Sequence, residues 1–171
     1  MRCRTLRAMH PFVPNTFAAP HGLDHPAFRL RPLGPGHNAS DYAAWTSSIG
    51  HIHATPGFED RTWPHPMTLE ENLGDLVRHA ADFAARTGFT YTVLAPAGGE
   101  GWNEGDGDAT VIGCVYIYPG DEPDIDAKAS SWVRAADAHL DTVLHGAVSE
   151  WLRDAWPFKQ VAYAARPALT T

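Results

Sequence analysis

The stretch over residues 109–166 places the tightest limit on what this chain can fold into. It reads as a strand over 109–118, a turn, a strand over 128–135, a helix over 140–156 and a strand over 160–165. Alternation in the first strand sets Ile112, Cys114, Tyr116 and Tyr118 on one face, and Val111, Gly113, Val115 and Ile117 on the other. Both faces are largely apolar, the pattern of a strand inside a sheet that is covered on both sides. In the helix, Leu140, Val143, Leu144, Ala147, Val148, Trp151, Leu152 and Ala155 form one stripe. Such a stripe packs on a sheet.

With 171 residues, the chain is long enough for one domain with a substantial core and too short for two comfortable ones. Lys and Arg total 13 against 20 Asp and Glu, a formal charge of -7. That balance argues against nucleic acid as the main partner, because neutralising phosphates requires a basic footprint. Cys3 and Cys114 are the only cysteines; one falls in a tail and one in a central strand, so a structural disulfide is not expected. No apolar run has the length of a membrane span. The basic residues from Met1 to Arg7 lead into no apolar segment of the kind a signal peptide carries. The expectation is a soluble cytoplasmic protein.

Residues 1–26 hold four prolines and no sustained period, and read as an extended arm lying across a domain formed by residues 27–171. Residues 28–32 alternate apolar and basic, a first strand stopped by Pro32. Asn38 then stands as an N-cap, with Tyr42, Trp45, Ile49 and Ile52 forming one helical stripe. His21 with His25, and His51 and His53 with His65, invite a metal reading. Histidines two apart face opposite ways on a strand and well apart on a helix, however, and prolines flank His21 and His25. Cleft-lining or capping roles are read for these side chains, and no metal site.

Thr68-Leu-Glu-Glu71 matches a capping box. Leu69, Leu73, Leu76, Val77, Ala80, Phe83 and Ala84 continue as the stripe of an amphipathic helix, which Gly88 would end. Residues 89–94 alternate and are rich in β-branched and aromatic side chains, the mark of a strand. Two acidic turns follow, one with Glu100, Glu104, Asp106 and Asp108, the other spanning Asp121 to Asp126. Both read as solvated hairpin loops. The fold class is therefore α/β of the α+β kind: one mixed sheet of about five to six strands flanked by three main helices.

The order strand, helix, helix, strand, strand, strand, helix, strand resembles the core of the GNAT-type N-acetyltransferase family over roughly residues 28–166. Its most telling words are Phe-Arg-Leu-Arg-Pro-Leu at 28–33, Thr-Leu-Glu-Glu-Asn-Leu at 68–73, Phe-Thr-Tyr-Thr-Val-Leu at 89–94 and Val-Ile-Gly-Cys-Val-Tyr-Ile at 111–117. The resemblance implies a transferase that moves an acetyl group from acetyl-CoA to a small-molecule amine. In that family a Gln/Arg-x-x-Gly-x-Gly/Ala segment after the fourth strand wraps the CoA pyrophosphate with backbone N–H groups, as helix N-termini do for anions. The matching segment here is Arg134, Ala135, Ala136, Asp137, Ala138 and His139, followed by Leu140. Alanines replace the glycines, and Asp137 adds a negative charge. One reading lets Arg134 and His139 offset that charge; the other makes Asp137 the helix N-cap, occupying the amides itself.

The resemblance further implies that backbone N–H groups of Trp132, Val133 and Arg134 face the acetyl carbonyl, and that Tyr116 and Tyr118 wall the acceptor pocket. His79 and Glu71 are bases if their helix faces that pocket, and surface residues if it does not. The family's later helix and strands, which often carry a general-acid tyrosine, have no counterpart here; Tyr163 is the nearest chemical substitute. The edge beside the last strand calls for cover from the arm or from a second subunit in a homodimer. Against the enzyme stands an alternative: a noncatalytic GNAT-like binding or assembly module that has lost CoA binding.

Overall fold

The computed structural model of the chain describes residues 10–96 and 109–168. Its strands are β1 (Leu23–His25), β2 (Phe28–Pro32), β3 (Phe89–Leu94), β4 (Val111–Pro119), β5 (Ala127–Val133) and β6 (Val161–Tyr163). Its helices are α1 (Asn38–Thr46), α2 (Ile49–His53), α3 (Leu69–Ala85) and α4 (Asp141–Ala155). The strands form one six-stranded sheet in chain order. Every neighbouring pair is antiparallel except β5 and β6, which run parallel. A parallel pair needs a crossover, and α4 supplies it.

The mixed sheet expected from the sequence is present, and β4 lies inside it with both faces covered. One core packs α4 and residues of the arm against Phe28, Leu30, Phe89, Tyr91, Val115 and Ile117. The other packs α1, α2 and α3 against Leu94, Val111, Cys114 and Trp132. The expected facing of Val111 and Ile112 is reversed. Val93 pairs with Gly113 but Leu94 with Val111, so Ile112 is an extra residue in the ladder. Such a bulge turns the alternation over, and a simple period of two carries no mark of it.

The arm is pinned at several points. Val13 is buried, Phe12 stacks on Phe89 and Phe158, and Arg86 donates to the carbonyls of Pro14 (2.8 Å) and Phe17 (2.6 Å). The arm also contains β1, a strand the sequence reading did not foresee; three residues are too few for alternation to register. That strand joins β2, at the opposite edge of the sheet from β6.

The single helix expected from Asn38 onward is two helices. Thr46 and Ser47 turn their hydroxyls back onto the carbonyls of Tyr42 and Ala44, a local bond that competes with helix propagation. Asn38 is the first residue of α1 rather than its cap; its side chain instead reaches the Leu69 carbonyl. The capping box of α3 is formed as expected, with Thr68 N–H donating to Glu71 and Glu71 N–H to Thr68 Oγ1. Its far end differs: Arg86, at φ 62, makes the left-handed turn assigned to Gly88. Gly88 is needed for closeness instead, since a Cβ there would lie 2.2 Å from the Tyr118 ring. Cys3 and the first acidic loop, with Glu100, Glu104, Asp106 and Asp108, lie outside the described residues. In the second acidic turn, Asp126 accepts the N–H groups of Lys159 and Gln160 and so ties that turn to the start of β6.

The docking of α3 on α1 runs through Asn72, which is buried. Its side-chain oxygen accepts the Trp45 indole N–H at 3.0 Å, while its amide hydrogens go to Asn38 at 2.9 Å and Asp41 at 3.0 Å. Replacing it with Ala strands a buried indole N–H and a carboxylate, each costing about 1–3 kcal/mol. Urea unfolding of Asn72→Ala is therefore expected to show a loss of at least about 2 kcal/mol, and a loss below half of that would contradict this account.

Candidate active site

A cavity of about 370 Å³ opens between α1, α3 and the β4–β5 part of the sheet. Aromatic rings of Phe58, Trp63, Tyr116 and Tyr118 wall it, and Asp41, Asp75, Arg78 and His79 supply its charged and titratable groups. The sequence reading left open which way α3 faces, and the structure turns its polar side inward. Asn72, Asp75, Leu76 and His79 line the cavity, whereas Leu69, Leu73 and Val77 are 46%, 37% and 50% exposed. The apolar stripe is thus split, with Leu76 and Phe83 packed and Leu69, Leu73, Val77 and Ala84 facing out.

His79 is placed by a chain of bonds at Nδ1. That atom lies 2.9 Å from Tyr118 Oη and 3.0 Å from Thr90 Oγ1, and Tyr118 donates its proton to Asp82 at 2.9 Å. A carboxylate only accepts, so the Tyr118 proton is committed to Asp82 and the phenol oxygen is left to accept from Nδ1–H. This fixes the tautomer and leaves Nε2 with the free lone pair. Burial lowers the His79 pKa, assisted by Arg78 and opposed by Asp75 and Asp82, so the ring is neutral at neutral pH. Burial also lifts Tyr118 to about 12, which keeps its proton in place. A neutral imidazole with an oriented lone pair in a cavity can take a proton from a bound ligand.

Of the expected pocket residues, Tyr116 and Tyr118 do meet His79; its ring lies 5.6 Å and 6.2 Å from theirs. Trp132 stands behind them, buried, its Nε1–H donating to Tyr116 Oη at 3.1 Å. Glu71 is not in the cavity: it is exposed and its carboxylate is engaged in the capping box. Tyr163 lines an adjoining groove that shares Phe58 and Ser130 with the cavity. Its hydroxyl sits 2.5 Å from Ser131 Oγ, its ring packs on His145, and burial raises its pKa to about 12.

At the junction of β5 and α4, Asp137 does not cap the helix. A 3₁₀ turn over Ala135–Leu140 precedes α4, Leu140 is the N-cap, and the Asp137 carboxylate pairs with Arg134. The Ala135 N–H donates to Ser48 Oγ at 2.8 Å, and the Arg134 N–H to the Ile112 carbonyl at 2.8 Å. By alternation the Trp132 N–H also turns toward β4, leaving that of Val133 directed to the β6 side. These bonds test the fit of a CoA diphosphate. The Arg134–Asp137 pair keeps part of its surface in solvent, 32% and 20%. A diphosphate there would have to take the place of the Asp137 carboxylate beside Arg134, and the small side chains of Ala136 and Ala138 fit such a group.

Sequence reasoning missed Arg166, Asp41 and Asp82. Arg166 fills the gap where β5 and β6 diverge beyond the Ala129–Tyr163 pair. It bonds Asp141 at 2.6 Å and 3.2 Å and donates to the carbonyls of Ser131, Pro56 and Ala164, with its side chain 2% exposed. Asp41 sits in the first turn of α1 and Asp82 in the last turn of α3, and only their partners mark them out. His51 and His53 go separate ways: His51 Nε2 is buried, whereas His53 Nε2 meets the Pro64 carbonyl. Among the described residues, no group of three His, Cys, Asp or Glu is placed to hold a metal, and no helix is long and apolar enough to cross a membrane.

Solved structures share this architecture. A protein from Vibrio cholerae assigned as a ribosomal-protein-serine acetyltransferase superposes with a TM-score of 0.60 at 10% identity, over 86% of this chain and 75% of its own. The microcin C7 self-immunity acetyltransferase MccE, solved with acetyl-CoA and AMP, gives 0.54 at 9% identity, over 80% and 67%. A ribosomal-protein-S5-alanine acetyltransferase from Vibrio fischeri gives 0.53 at 11% identity, over 78% and 68%. The chain therefore has the GNAT-type N-acetyltransferase fold, as its sequence suggested. No family model and no curated protein sequence matches it.

Burial holds the Asp41 carboxyl at about 6, up from an ordinary 3.8; the Asn72 N–H opposes the shift and Asp75 adds to it. A folded-state pKa above the unfolded value means the folded state binds the proton more tightly. Its stabilisation is full below about 3.8 and lost as pH rises through about 6. Two units correspond to about 3 kcal/mol. Urea unfolding across that range should show wild type losing roughly this much stability relative to Asp41→Asn; parallel curves would refute the assignment.

Proposed function

We propose that this protein is an N-acetyltransferase that moves an acetyl group from acetyl-CoA to a small amine held in the cavity beneath α3. One observation carries the reading: a neutral His79, its Nδ1–H fixed by Tyr118 and Thr90, offers Nε2 as a base in an aromatic cavity on the GNAT-type fold. Arg134, with the backbone of Ala136, Ala138, His139 and Leu140, would hold the diphosphate; the Ala135 N–H is engaged by Ser48. Acetyl-CoA, when bound, supplies the activated acyl thioester.

The chain's own residues do the rest. Tyr116, Tyr118 and Trp63 position the acceptor and exclude water from around it. As the acceptor nitrogen forms its bond to the acetyl carbon, His79 receives the proton it gives up. The Val133 N–H, turned toward the β6 side, is the backbone donor available to the carbonyl oxygen. Tyr163 keeps its proton at neutral pH and can supply one to the departing sulfur from the adjoining groove.

A second reading is favoured by the donor side. Arg134 is already paired, the Ala135 N–H is bonded to Ser48, and Arg166 fills the divergence of β5 and β6. On this reading the chain binds its amine without transferring anything.

Thermal denaturation with acetyl-CoA separates the two, since ligand at about 100 times its Kd stabilises by about 2.7 kcal/mol. Asp137→Asn frees Arg134 and is expected to tighten acetyl-CoA, while Arg134→Ala weakens it. If neither wild type nor Asp137→Asn responds, the binding reading stands and the enzyme reading falls. With an active preparation, His79→Gln should lower kcat by about 10²- to 10⁴-fold with little change in Tm. The wild-type kcat/KM should rise with pH through a midpoint below the usual histidine value, because burial depresses it.

A further inference from the structure

We propose that the cavity beneath α3 recognises an organic dication: an amine carrying, besides the nitrogen presented to His79, a second positive charge held against Asp41 and the surrounding rings. The inference rests on the acetyl-acceptor reading for the role of His79, but not for the binding itself.

The charge inventory of the cavity is unbalanced. Asp75 has its countercharge in Arg78, 3.1 Å away at the exposed mouth. Among the described residues, Asp41 has none. It is 5% exposed, and its one hydrogen bond among them comes from the Asn72 amide at Oδ2. Asn72 has nothing further to give, because its other amide hydrogen goes to Asn38 and its oxygen to Trp45. Asp41 nonetheless lines the cavity together with Asp75, and among the described residues no cation pairs with it. A buried charge in this state is costly until paired.

The walls suit a cation as well. Trp63 lies 6.1 Å from Phe58 and 6.3 Å from Tyr116, ring centre to ring centre, and all three border the cavity. Aromatic faces attract ammonium groups through their quadrupoles. A monoamine that yields its proton to His79 would leave Asp41 unbalanced, and a ligand carboxylate would meet two like charges. A second ammonium removes both objections. Spacing can be estimated along α3: Asn72, which holds Asp41, and His79 are seven residues apart, or roughly 10 Å along the helix axis. Subtracting a contact of about 3 Å at each end leaves roughly 4 Å between the two nitrogens, a span that two carbons cover when extended and a flexible chain of three or four carbons covers when bent.

Isothermal titration of the full chain at neutral pH and low salt, without acetyl-CoA, tests this with 1,4-diaminobutane, butylamine and 4-aminobutanoate. The diamine is expected to bind about tenfold or more tighter than butylamine, and 4-aminobutanoate more weakly still. Asp41→Asn, which keeps an acceptor for Asn72, should bring the diamine down to the level of butylamine. Asp75→Asn, at the exposed mouth, should weaken the diamine by a smaller factor and serves if the first variant is unstable. Equal affinity for all three probes, or undiminished diamine binding in both variants, would overturn the inference. Diamine binding without acetyl transfer would refute only the enzyme reading. Acetyl transfer to monoamines with no diamine preference would refute only this one.

Discussion

Through three hydrogen bonds, to Trp45, Asn38 and Asp41, the Asn72 side chain fixes α3 against α1. Apolar contact is non-directional and would accept several rotations of the helix about its axis. A fully satisfied buried amide accepts one, because every other rotation strands a donor or an acceptor. The rotation it selects carries Asp75 and His79 over the sheet and turns Leu69, Leu73 and Val77 outward. Cavity, base and buried carboxylate all follow from that setting.

This explains why the sequence was informative about the sheet and less so about the site. The two-sided burial of β4, the capping box of α3 and the middle of the α4 stripe are local patterns with local causes, and each is present in the structure, although Val143 and Ala155 at the margins of that stripe are exposed. The facing of α3 is not local. A period of 3.6 says that an apolar stripe exists, not that the core takes it, and here a polar network overrides it. The bulge at Ile112 and the three-residue β1 leave no periodic trace. His79, Tyr116 and Tyr118 could be nominated from residue type, but Asp82 and Asp41 acquire meaning only from partners that are remote in sequence or hidden by the fold. Asp137 was weighed as a cap because acids favour that position. An arginine three residues earlier offered it a closer countercharge.

The parallel pair at the end of the sheet is secured differently. β5 and β6 pair only as far as Ala129 and Tyr163, after which Arg166 bridges them and clasps Asp141 at the start of α4. A guanidinium with so little exposure is tolerable because its donors are engaged by a carboxylate and by carbonyls that lack ladder partners at that point. It does the work that further strand pairing would otherwise do. It also fixes where the crossover helix begins relative to the sheet.

Phe58 and Ser130 border both the cavity beneath α3 and the groove beside Tyr163. Those two residues therefore stand on the border between the two chambers. A larger or smaller side chain at position 58 would therefore alter the walls of both chambers at once.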